Sequence, residues 1–162
     1  VPELIPAFVL RSYKIPSGAM EPTLHGSEVR PDRVLAVSVD AVAHTPNRGD
    51  VITYRDAEGK QTLVKRVVGL PGETVEIRDD KRVYIDGRPL TEAPFDRLAY
   101  LSTAQYARAG HPFVVPEDAL FLLGDNSPHS KDSRYEGAVP LTHVRARVYK
   151  IWWPPNHAGP VR

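Results

Sequence analysis

Residues 51–72 read VITYRDAEGKQTLVKRVVGLPG, and the fold turns on how this stretch is read. Val51 to Tyr54 and Thr62 to Val68 are rich in β-branched residues, the composition of a pleated, half-buried strand. Between them Asp56-Ala57-Glu58-Gly59-Lys60 is turn chemistry, so the two runs predict an antiparallel hairpin that Gly69-Leu70-Pro71-Gly72 ends. Working outward, Arg33 to Val39 reads as a strand, separated from the hairpin by the turn-like Pro46-Asn47-Arg48-Gly49-Asp50. Downstream, Thr74–Arg78 and Arg82–Ile85 predict a second hairpin, closed by Asp86-Gly87, and Leu101 to Ala109 is expected to form a short helix. Ala119 to Leu123 is short, apolar and followed by Gly124-Asp125-Asn126, which fits a buried strand better than a helix. Val144, Ala146 and Val148 alternate with Arg145, Arg147 and Tyr149 before Trp152-Trp153-Pro154-Pro155. The expected fold class is mainly β, with antiparallel sheets coiled into a barrel or sandwich, its sixteen prolines and eleven glycines spread among many turns.

A chain of 162 residues that is 41% hydrophobic can bury a core and suits one domain with a smaller appendage. Lys plus Arg total 21 against 20 Asp plus Glu, a net +1 that gives no single-sign field of the kind a nucleic-acid groove needs. The absence of cysteine excludes disulfides, thiol catalysis and cysteine-held metals. No run reaches the roughly 18 apolar residues of a membrane-spanning helix, and VPELIPAFVL at the start is apolar but short. Because the sequence starts at Val1 and not at methionine, removal of an upstream piece is expected.

Period-two alternation puts Leu63, Lys65 and Val67 on one face of their strand. An ammonium among such neighbours loses hydration and tends toward the neutral amine, which can take a proton as a general base. The plainer reading is a lysine whose stem lies along apolar surface while its tip reaches water. A serine is the chemically sensible partner of such a base. Ser17, in IPSGAMEPTL (15–24), reads equally well as a turn residue, and Ala19 carries only a methyl group. In GDNSPHSKDSRYEG (124–137), Asp125, Asp132 and Arg134 offer ion pairs, while Ser130 and Ser133 offer hydrogen bonds; an exposed loop could hold the same pairs without any function. His129 with Asp125 and Asp132 matches no strong metal spacing.

Taken in order, IPSGAMEPTL, LVKRVVGLPGE (63–73) and GDNSPHSKDSRYEG resemble the three motifs of the bacterial type I signal peptidases, with the WWPP region extending the resemblance to nearly the full chain. The resemblance implies a Ser-Lys endopeptidase that cuts signal peptides from exported preproteins after Ala-X-Ala-type sites, without cofactor or metal. Carried over by position, Ala19 stands where the family has its nucleophilic serine, Lys65 is the general base, Ser17 lends its hydroxyl to the oxyanion hole, and Ser130 orients the lysine amine. Arg66, Asp125, Asp132 and Arg134 match supporting ion-pair residues, with Arg66 expected to partner Asp125; pocket walls are expected near Ile15, Met20 and Leu63. The implied organisation is a catalytic β domain over 1–75 and 117–162, with a small β-containing lobe inserted at 76–116. Membrane anchoring is implied, with catalysis on the extracytoplasmic face of the cytoplasmic membrane; the apolar start and Trp152-Trp153 could rest in the membrane interface or be ordinary packing. Ser127-Pro128-His129 and Glu136 depart from the family pattern, and Ala19 departs in kind: if the mechanism carries over, it stops catalysis at the first step. An introduced Ser-to-Ala change explains the otherwise retained apparatus better than a natural noncatalytic, peptide-binding homologue, which stays the alternative.

Overall fold

The structure, a computed structural model, describes residues 9–162; the expectation for the apolar start therefore falls, apart from Val9 and Leu10, outside the described residues. Its strands are β1 (Leu10–Lys14), β2 (Arg33–Ser38), β3 (Val51–Arg55), β4 (Thr62–Gly69), β5 (Thr74–Ile77), β6 (Val83–Ile85), β7 (Arg88–Pro89), β8 (Phe113–Val114), β9 (Ala119–Leu123), β10 (Val139–Pro140), β11 (Val144–Trp153) and β12 (Gly159–Pro160). The larger sheet runs β1-β2-β11-β3-β4-β9-β10, with β12 added to β11, and the smaller runs β7-β6-β5-β8. Every pairing is antiparallel, and both hairpins expected from the sequence are present.

The β3–β4 hairpin sits near the centre of the larger sheet and sets the register of everything beside it. Val51 pairs with Arg66 and Ile52 with Lys65, while on the other side Arg66 pairs with Leu123 and Val67 with Leu122. Register shifts interrupt β11 and the Gly69 end of β4, where a bulge bends and twists the strand. Residues on both faces of β4 are buried: Val67 packs with Ile52, Tyr54 and Leu122, Val64 packs against Met20, Val34 and Val148, and Val68 joins Val75 and Phe121 in the core shared with the smaller sheet.

The expected helix at Leu101–Ala109 is not formed; the segment is irregular. Its backbone partners are distant, for the Tyr106 N–H donates to the Arg134 carbonyl and the Ala107 carbonyl accepts from Ile77 N–H, so a local helical ladder loses to tertiary pairing. Among the described residues no helix is long and apolar enough to cross a membrane.

Candidate active site

The first motif folds as a tight shoulder. Ser17 has extended backbone at φ −145° and ψ 165°, and Gly18–Met20 then makes a single 3-10 turn. Ile15 N–H donates to the Asp32 carbonyl at 2.9 Å and Leu24 N–H to the Met20 carbonyl at 3.0 Å, so both ends of the shoulder are pinned. Ile15, Met20 and Leu24 sink into the core against β2 and β11, which fixes where Ala19 must sit. Asn126, in the third motif, then clasps the turn: its N–H donates to the Ala19 carbonyl at 3.0 Å and its Nδ2 to the Gly18 carbonyl at 2.9 Å.

Lys65 lies on β4, the strand paired with β9. Since Arg66 pairs with Leu123, antiparallel register brings Lys65 level with Gly124. Gly124 is a point of close approach: a Cβ there would overlap the Ser130 hydroxyl and lie 2.7 Å from the Ala19 carbonyl oxygen. Ser130 and the Ala19 carbonyl thereby come together beside the end of β9, with Lys65 on the neighbouring strand. The lysine is only 5% exposed, and its Nζ donates to the Val64 carbonyl at 3.2 Å. Burial lowers its pKa from the ordinary 10.5, opposed by the carboxylates of Asp132 and Glu136. The amine is consequently biased toward the neutral, proton-accepting form.

Two buried ion pairs carry this arrangement. Arg66 donates from Nε to Asp125 Oδ1 at 2.9 Å and from Nη2 to Oδ2 at 2.6 Å, with both side chains wholly buried. The Thr23 hydroxyl donates to the same carboxylate, and Arg66 Nη1 donates to the Gly49 carbonyl at 2.7 Å. Asp132 caps the short helix α1 (Ser133–Glu136) by accepting from Arg134 N–H, and also pairs with the Arg134 guanidinium at 2.9 Å. Its Oδ2 further accepts from Gly124 N–H at 3.0 Å and from the Ser130 hydroxyl at 2.8 Å, so one carboxylate spans β9, the loop and α1. Fork-like, charge-assisted bonds of this kind fix geometry as well as stabilise it.

The other sequence candidates are placed less uniformly. Ser17 is exposed, with no capping hydrogen bond from its side chain. Ile15 and Met20 share one packing cluster, whereas half-buried Leu63 packs with Val67 and Tyr54 in another. Sequence reasoning passed over Thr23, Asn126 and Ser127. Ser127 Oγ accepts from Arg134 Nη1 at 2.6 Å and from Leu101 N–H at 2.9 Å. Each of these residues is polar inside a motif, the one signal that could have marked it.

Against protein-family profiles, residues 3–153 match "Signal peptidase, peptidase S26". The chain belongs to this peptidase family. A signal peptidase I of Leptolyngbya laminosa is 36% identical over 96% of this chain and 74% of the relative, and one of Mycobacterium tuberculosis is 31% identical over 96% and 69%. Among solved structures, a signal peptidase I from Enterococcus faecalis V583 superposes with a TM-score of 0.51 at 37% identity, covering 64% of this chain and 96% of that one. The antiparallel β fold is thus that of signal peptidase I.

Proposed function

We propose that this S26 chain is the catalytic region of a signal peptidase I whose active form carries serine at position 19 and uses a Ser-Lys dyad. The observation that carries the reading is a nearly buried amine at Lys65, level with Gly124, where the Ala19 carbonyl and the Ser130 hydroxyl converge. In the active form neutral Lys65 takes the proton of the serine hydroxyl at position 19 while the serine oxygen attacks the peptide carbonyl. The position-19 N–H and Ser17 Oγ receive the developing oxyanion, and Ser130 keeps the amine aimed. The lysine then protonates the leaving amine, and later activates the water that hydrolyses the ester. In this picture Arg66–Asp125 and Asp132–Arg134 hold the two motifs in register.

Substrate is read as an extended signal-peptide segment ending in Ala-X-Ala, cut on the extracytoplasmic side of the cytoplasmic membrane, with Ile15, Met20 and Leu63 near its side chains and 76–116 as an inserted lobe between the two parts of the catalytic domain. With Ala19 the chain lacks an attacking oxygen, so binding without cleavage is expected. A noncatalytic peptide-binding homologue is the second reading, which the Ala19 methyl itself favours. Incubating the chain and its Ala19→Ser variant with a peptide bearing an Ala-X-Ala site, followed by mass spectrometry, separates them. Cleavage by the serine form alone supports the peptidase; a folded serine form that binds but never cuts supports the alternative.

A further inference from the structure

We infer that His25, Asp32 and His157 form a binding site for a borderline divalent cation of the zinc, cobalt or nickel kind. They lie outside the proposed catalytic residues, and His157 is 125 positions from Asp32 in sequence. One donor atom from each of the three falls within 4.8 Å of the other two. Zinc holds such donors at about 2.0–2.2 Å, and two imidazoles with one carboxylate are a set it takes readily, with water completing the shell.

The geometry is that of a site whose carboxylate is fixed and whose imidazoles adjust. Asp32 is 1% exposed and rigidly held: Oδ2 accepts from His25 N–H at 2.7 Å and faces His157 Nδ1 at 2.8 Å. Asp32 Oδ1, in contrast, is buried with no hydrogen-bond partner among the described residues, an acceptor left over. The imidazoles of His25 and His157 stack at 4.2 Å between centroids with planes 10° apart. Parallel rings cannot both point lone pairs at one ion, but His25 is exposed and needs only a side-chain rotation to turn its nitrogen inward. A cleft of about 270 Å3 bordered by these three residues with Arg30, Pro154 and Asn156 gives the ion and its waters room.

A cation there would join the loop 25–32 to the segment after β11. That loop abuts the shoulder directly: Gly26 packs so closely on the Ser17 backbone that a Cβ would overlap its carbonyl, and the Asp32 carbonyl holds Ile15 N–H. Loading the site would therefore stiffen the support of the first motif without touching Lys65.

Isothermal titration of the chain with zinc chloride, repeated on His25→Gln, His157→Gln and a His129→Gln/His143→Gln control, tests the assignment. One equivalent should bind, with affinity falling at least about tenfold in either of the first two variants and unchanged in the control. Cobalt added to the unaltered chain should develop the visible absorption of a nitrogen-ligated, low-coordinate ion, a readout independent of any variant's folding. Absence of both signals, or zinc binding that survives the first two substitutions or is lost in the control, overturns the site.

Discussion

At the scale of single residues, Lys65 is the group whose chemistry and stability oppose each other. Burial lowers its pKa below the 10.5 of a free lysine, so between the two values the unfolded chain holds more protons and stability rises with pH. Below the folded value the penalty is complete; above 10.5 it vanishes. Lys65→Met should accordingly raise the melting temperature near neutral pH, by about 2–4 °C for each kcal/mol of desolvation relieved, and the gain should shrink as pH approaches 10.5. Calorimetry across that range checks it, and a gain that does not vary with pH contradicts it. Gly124→Ala makes the complementary prediction: its new methyl crowds the Ser130 hydroxyl and the Ala19 carbonyl, so in the Ala19→Ser background it should cut turnover at least about a hundredfold, as small misplacements of catalytic groups do. Peptide-cleavage kinetics measure that loss directly. Alternation along β4 gave Lys65 apolar neighbours but left open whether its tip reaches water, and its position level with Gly124 was not legible at all. That depends on the β4–β9 register and on how closely the chain packs at Gly124, and neither leaves a local trace.

At the scale of elements, the two arginine–aspartate pairs replace what a hydrophobic junction would do between strand and loop. Removing one partner leaves an uncompensated buried charge, so Arg66→Ala should destabilise the chain by about 3–5 kcal/mol in urea unfolding. Arg66→Met combined with Asp125→Leu should cost clearly less, since no charge is stranded; equal losses would show that the pair acts through something other than its charge. The hairpins could be read from turn residues because their pairing is local. The segment 101–109 could not, because its backbone donors and acceptors are claimed by Arg134 and Ile77, far away in the chain. The third motif is similar: its charges were visible, but their burial was not, since nothing in GDNSPHSKDSRYEG says that Asp132 is 1% exposed.

At the scale of the whole molecule, large apolar side chains stay exposed on β1 and at the end of β11. Trp152 and Trp153 are each 41% exposed, and Trp152 Nε1 donates to Ser12 of β1 at 3.0 Å, two residues from exposed Leu10. If this surface rests on lipid, Trp152→Ala/Trp153→Ala should lower partitioning onto phosphatidylglycerol-containing vesicles several-fold in a flotation assay while leaving the fold intact; unchanged partitioning would assign the tryptophans to packing alone. The clustering of His25, Asp32 and His157 belongs to this scale too, for it exists only once the segment after β11 returns to the first motif. What binds these levels together is the chemistry proposed for Lys65, and its most direct test is the pH dependence of kcat/KM for the Ala19→Ser chain on an Ala-X-Ala peptide. Activity should rise with pH through a midpoint below 10.5 and disappear in Ala19→Ser/Lys65→Ala. Turnover that persists without the lysine amine, or a profile flat across its titration, would contradict it.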